Sequence, residues 1–217
     1  PVARRLWTEG VRAYGVATSA EALSLARALP RARILLLGCF RAEQLPELLR
    51  RRIRLTLSSI EEARQIARAA GRSGDAWVHI KVDTGMGRLG VWHEDCELLF
   101  REVSRLDRLR VEGVYTHLSH ADAPDERPSR VQLWRFRRAA QSAYRMGLRP
   151  RHLHAANSAG LMRFDALRLD MVRPGLILHG LDPSGKGPLI GYRPSATWKT
   201  RVAFIKQVGR GRTVSYG

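Results

Sequence analysis

Cysteine is nearly absent from this 217-residue sequence: Cys39 and Cys96 are the only two. They have no metal-ligand spacing and sit in apolar-rich stretches, so buried free thiols are expected, not a zinc site or a disulfide framework. No run approaches the roughly 18 apolar residues of a membrane span, and the opening PVARRLWTEG lacks the hydrophobic centre of a signal peptide. No low-complexity tract interrupts the chain. A soluble, cytoplasmic protein with no membrane partner is expected. Lysine is scarce as well: Lys81, Lys186, Lys199 and Lys206 stand against 34 arginines, for a net charge of +18. A nucleic-acid binder is one explanation of that charge. The arginines are scattered over many helices, however, with no glycine-aromatic RNA motif, zinc-finger spacing or basic-zipper heptad. A solvated, arginine-biased surface is the default, and no nucleic-acid partner is expected.

What is present is a rhythm of apolar runs and amphipathic stretches; 44% of residues are hydrophobic, enough for a core. Strands are predicted at 13–18, 34–38, 53–58, 77–83, 110–118, 151–158 and 171–180, and helices at about 19–29, 41–51, 60–70, 94–105 and 128–146. Capping boxes open two helices, Thr18 with Glu21 and Ser59 with Glu62. Gly71 and Gly147 follow helical stretches where a left-handed cap is wanted. Strand-helix repetition means parallel βα units, and seven such strands suit a (β/α)₈ TIM-like barrel with one strand missing. The run at 196–208 is strand-like and different in character. The expected organisation is a barrel over 1–190, then the truncated start of a β-rich domain over 191–217, within a longer protein.

Residues 78–91 read VHIKVDTGMGRLGV. Alternation puts Val78, Ile80 and Val82 on one face and His79, Lys81 and Asp83 on the other. For a lone strand, a snorkelling lysine and an ordinary glycine turn explain this equally well. Arg88 then falls where a βα loop leaves the carboxyl face of a barrel, a good place for a guanidinium that binds an anion. In YTHLSHAD (115–122) His117 ends a strand, where a satisfied rim histidine is the ordinary alternative. Asn157 and Ser158 of HAANS stand at a helix start, either as a phosphate seat or as a plain N-cap. In MVRPG (171–175) Arg173 lies in an apolar strand and needs an acceptor. Tyr216, in the terminal VSYG, is unremarkable alone.

Taken in order, GVATSAEALSLARAL, KVDTGMGRLGV, THLSHAD, HAANSAG, DMVRPG and VSYG resemble the pyridoxal-phosphate-dependent alanine racemases over nearly the whole chain. The resemblance implies interconversion of L-alanine and D-alanine by two-base proton transfer at Cα, supplying D-alanine for peptidoglycan, in a homodimer with shared active sites. It implies that Arg173 donates to the pyridine nitrogen of pyridoxal 5'-phosphate. Most pyridoxal enzymes place a carboxylate there. An arginine, protonated with a pKa above about 12, leaves the nitrogen unprotonated, so the ring is a weaker electron sink and prompt reprotonation is favoured. It further implies phosphate binding by Ser158 and the backbone at Gly175 and Leu176, with His117 and Asn157 beside the ring. Arg88 is implied for the substrate carboxylate, Lys81 as a carbamylated lysine positioning Arg88, and Tyr216 as one catalytic base.

The sequence departs from the family pattern in several places: most of the C-terminal β domain is absent, and HADAPDERPSR is unusual in the loop after His117. The Schiff-base lysine that ends the family's first strand has no counterpart, so the 217-residue segment alone is expected to be inactive. His179 stands where a tyrosine is common. A serine or broad-specificity racemase and a non-catalytic pyridoxal-phosphate-binding barrel stay open as alternatives.

Overall fold

The computed structural model describes residues 1–71, 74–185 and 187–214. Its elements run α1 (Val2–Thr8), β1 (Ala13–Val16), α2 (Ser19–Ala28), β2 (Arg33–Leu36), α3 (Leu45–Arg50), β3 (Arg54–Leu57), α4 (Ile60–Ala70) and β4 (Ala76–Asp83). Then come β5 (Val91–Trp92), α5 (Cys96–Ser104), β6 (Leu109–Tyr115), α6 (Arg127–Arg145), β7 (His152–His154) and α7 (Ser158–Arg163). The strands lie in the order β1-β2-β3-β4-β6-β7, all parallel, with short β5 paired to the end of β4. This is the partial (β/α) barrel that the strand-helix rhythm predicts.

Local chemistry explains the boundaries. Thr18 caps α2 reciprocally with Glu21, as predicted; such a cap contributes about 1 kcal/mol. Ser59 accepts the Glu62 N–H of α4 at 3.1 Å, while the Glu62 carboxylate takes the Ser58 N–H at 2.7 Å. Gly147 adopts the left-handed conformation at φ 84°. Gly71 does not; its φ is −51°, because α4 ends there in helical geometry. The core joins Leu36, Leu55, Leu57, Val78, Ile80 and Val82 of the strands to Ala63, Ile66, Leu99 and Phe136 of the helices. Each fully buried Leu or Ile side chain gains about 1.5–3 kcal/mol from leaving water.

Three predicted strands come out differently. The run 151–158 is strand only over His152–His154, since Asn157 caps α7. The run 171–180 shrinks to one bridge, Met171 with His154, followed by a 3-10 turn at Leu176–His179; Pro174 has no N–H to give a ladder. The run 196–208 forms no strand, and Trp198, Phe204 and Ile205 are exposed. An antiparallel partner is what such a run would need, and none exists among the described residues. Cys96 is buried but Cys39 is exposed, against expectation. Among the described residues no helix is long and apolar enough to cross a membrane.

Candidate active site

Because the strands are parallel, the segments following β4, β6 and β7 emerge on one face. Those segments carry Arg88, His117 and Ser158, and Arg173 joins them: its backbone N–H extends the sheet by donating to Ala156 O at 2.9 Å. The apolar residues of β4 pack outward on the helices while His79, Lys81 and Asp83 face inward, all six buried.

Asp83 is the organiser of the first loop. Its Oδ1 accepts the N–H groups of Gly85, Met86 and Gly87 at 2.9, 2.9 and 3.2 Å, and Oδ2 accepts that of Arg88 at 3.1 Å. Burial pushes its pKa up, yet the four N–H donors outweigh that and hold it below the ordinary value. Gly85 and Gly87 supply the positive φ the turn needs, 138° and 67°. The family resemblance implies that Lys81 positions Arg88; in the structure the backbone N–H of Arg88 is held by Asp83. The Arg88 side chain is exposed and has no hydrogen bond among the described residues.

Lys81 is buried inside the barrel, its Nζ 5.7 Å from the centre of the Tyr115 ring. Burial, then the charges of Arg88 and Arg173, pull its pKa down to about 8. Its amine is therefore more readily uncharged at mildly alkaline pH than an ordinary lysine.

Arg173 finds the acceptors its position demands. Nη1 donates to His154 Nδ1 at 2.6 Å, and Nη2 donates to Thr116 O at 2.7 Å and Ala155 O at 3.1 Å. The guanidinium carbon lies 5.1 Å from the centre of the Tyr115 ring, which stacks at 4.7 Å on His154. Burial brings its pKa down to about 10, so it stays a cation at neutral pH. Its Nε–H has no partner among the described residues. Tyr115 is held in turn: the Thr56 hydroxyl donates to Leu36 O at 2.7 Å and accepts from the Tyr115 hydroxyl at 2.8 Å.

His117 is neutral, since burial and the cations Arg173, Lys81 and Arg88 push its pKa down to about 4. Helix α6 pins its loop: the Gln132 amide donates to His117 O and Thr84 Oγ1, both at 3.2 Å, and accepts the Ser119 N–H at 3.0 Å. Asn157 Oδ1 accepts the Gly160 N–H at 2.8 Å, so that oxygen serves as the α7 cap. Ser158 Oγ accepts the Gly175 N–H at 2.9 Å and that of Ile177 at 3.5 Å, which brings Ser158, Gly175 and Leu176 together. A Cβ built on Gly175 meets nothing within 4 Å, leaving open space beside this cradle. Tyr216 lies outside the described residues.

The sequence does not reveal Asp83 as an anchor or give Glu112 and His154 a role; alternation puts Tyr115 on the side of His117, but does not show its contacts with Thr56 and His154. A carboxylate at Glu112, among the apolar residues Val111, Gly113 and Val114, is the available signal.

These features define a parallel (β/α)-barrel protein whose polar site sits at the carboxyl ends of the strands. Residues 1–183 match the family model "Alanine racemase, N-terminal domain", and the chain belongs to the alanine racemase family. It is 41% identical over its whole length to an alanine racemase of Symbiobacterium thermophilum and 38% identical to one of Carboxydothermus hydrogenoformans. It spans 58% and 59% of those relatives. The structure matches alanine racemase from Clostridium difficile 630 in complex with cycloserine, with a TM-score of 0.81 and 31% identity, over 86% of this chain and 52% of that one. It also matches alanine racemase from Bacillus anthracis with bound L-Ala-P, with a TM-score of 0.73 and 30% identity, over 78% and 44%.

Proposed function

We propose that this chain forms the cofactor-binding part of a pyridoxal 5'-phosphate-dependent racemase that interconverts L-alanine and D-alanine. The observation that carries the proposal is Arg173: a guanidinium fixed by three acceptors, with an uncommitted Nε–H, at the mouth of a barrel. When bound, pyridoxal 5'-phosphate supplies an electron-withdrawing ring that acidifies the amino-acid Cα–H. The residues present fit that group. Arg173 offers a donor to a ring nitrogen, neutral His117 lies alongside, and Ser158 with the Gly175–Leu176 backbone offers polar groups to a phosphate beside open space. Asn157 completes the ring side. Arg88 binds the substrate carboxylate, with Lys81 as the adjacent carbamylated residue, and Tyr216 is one of the two bases.

Residues 1–190 are assigned to the barrel and 191–217 to a second, β-rich unit; the exposed Trp198, Phe204 and Ile205 support a face that another unit covers. The assembly is a homodimer with shared active sites, located in the cytoplasm.

The test has two arms. The 217-residue chain should bind pyridoxal 5'-phosphate reversibly, with no label retained after borohydride, because it has no counterpart of the covalent lysine. The same segment within a polypeptide of the relatives' length should exchange the Cα hydrogen of both alanine enantiomers in deuterated water. Absence of exchange in the longer protein would refute the racemase assignment.

A further inference from the structure

The ladder between β4 and β6 slips by one residue: Val78 pairs with Val111, but His79 pairs with Gly113. Glu112 is the extra residue of a β-bulge, and bulges re-aim side chains. Here the bulge turns a carboxylate into the barrel, where Glu112 is 7% exposed. Its Oε2 lies 2.9 Å from Arg54 Nε and 3.3 Å from His79 Nε2. His79 Nδ1 lies 2.8 Å from His154 Nε2, and His154 Nδ1 lies 2.6 Å from Arg173 Nη1.

The protons in this chain have one consistent arrangement. A guanidinium only donates, so His154 Nδ1 accepts and its proton sits on Nε2. That proton points at His79 Nδ1, which must accept, so the His79 proton sits on Nε2. This last proton points at Glu112, a carboxylate that only accepts. Arg54 closes the far end with a second cation. Burial first, and for His154 the Arg173 charge next, keeps both imidazoles neutral at neutral pH. Gly113 makes room, since a Cβ there would lie 2.4 Å from His79 Nδ1.

We propose that Glu112 is a positioning residue for Arg173, acting through His79 and His154 by fixing both rings as Nε2–H tautomers, so that His154 always presents an acceptor to the guanidinium. Without an acceptor at 112 the His79 Nε2 proton is buried and unpaired, which favours its transfer to Nδ1 against the order imposed from the Arg173 end. The His154 proton then moves to its own Nδ1, where it opposes an Arg173 donor, and the aim of the guanidinium is lost. What that aim serves, the cofactor ring nitrogen, rests on the function proposed above; the tautomer chain does not.

Histidine-labelled ¹⁵N NMR of the 217-residue chain at neutral pH, without cofactor, tests it directly. The wild type should show protonated Nε2 and unprotonated Nδ1 at both His79 and His154. Glu112→Gln, which keeps an acceptor oxygen, should preserve both tautomers; Glu112→Met should lose the single-tautomer signature at both. An Nδ1–H at either ring in the wild type, or unchanged tautomers in Glu112→Met, would overturn the proposal. Should Glu112→Met not fold, Glu112→Gln decides: the His79 Nε2 proton should shift upfield once the charge is gone, and no shift would overturn it. In a pyridoxal 5'-phosphate titration, Glu112→Met should bind at least tenfold more weakly and Glu112→Gln within threefold of wild type. Equal binding by Glu112→Met would overturn the positioning role. A wild type with the expected tautomers that binds no cofactor would support the tautomer chain and refute the function.

Discussion

Gly113 faces His79 so closely that a methyl group on it would lie 2.4 Å from the imidazole Nδ1, inside any permitted contact. Glycine at 113 is therefore a packing requirement of the barrel interior, unrelated to turn geometry. Gly113→Ala should cost about 1–3 kcal/mol through overpacking, read as a lower urea midpoint at unchanged slope. Gly175→Ala, whose Cβ would meet nothing within 4 Å at a negative φ, should stay within about 0.5 kcal/mol of wild type.

Asp83 makes a separate prediction for the loop that carries Arg88. Asp83→Ala removes the acceptor of four backbone N–H groups. Loss of charge-assisted bonds of this kind should cost about 2–3 kcal/mol. Amide hydrogen exchange at Gly85–Arg88 should quicken selectively, and Asp83→Asn should fall between the two. Exchange spread evenly over β4 would contradict the anchoring role.

Stability in acid should depend on Glu112. Burial raises its pKa, but hydrogen bonds from His79 and Arg54 outweigh that and leave the folded value at about 2. A depressed carboxylate stabilises the fold above its unfolded pKa, near about 4.3, and loses that contribution as pH falls through the folded value. Wild-type stability should therefore decline between about pH 4.5 and 2. Glu112→Gln should be less stable at neutral pH and show a shallower decline across that window. Thermal melts at pH 6, 4 and 2.5 compare the slopes.

Lys81 carries the opposite sign. Its folded pKa of about 8 lies below the unfolded value near about 10.4, so the cation destabilises the fold below about pH 8. That penalty should be relieved between about pH 8 and 10.4 and should vanish in Lys81→Met. The same uncharged amine should react with ¹³C-bicarbonate at pH 8 to give one carbamate signal, absent from Lys81→Met.

The sequence shows the barrel because its signal is local. The apolar strands that start near residues 13, 34, 53, 77 and 110, the Thr18–Glu21 capping box and Gly147 each act within a few residues, and each appears where the sequence places it. What stays hidden depends on partners far along the chain. The bulge at Glu112 depends on how β4 and β6 pair. The choice between strand and turn after Met171 depends on Pro174 and on Ser158, 17 residues before Gly175. Residues 196–208 have strand composition but no strand beside them among the described residues. At the site, Arg173 was legible because a buried arginine must find acceptors, although their identities, His154 and two carbonyls, were not. Asp83 was overlooked because its work is done on backbone N–H groups that no motif displays.

The most direct test of the account concerns the ring nitrogen that Arg173 is assigned to meet. Pyridoxal 5'-phosphate labelled with ¹⁵N at that nitrogen should, on binding the chain, give the signal of an unprotonated, hydrogen-bonded pyridine, and Arg173→Leu should abolish that signal. A pyridinium signal, or an identical spectrum from Arg173→Leu, would contradict it.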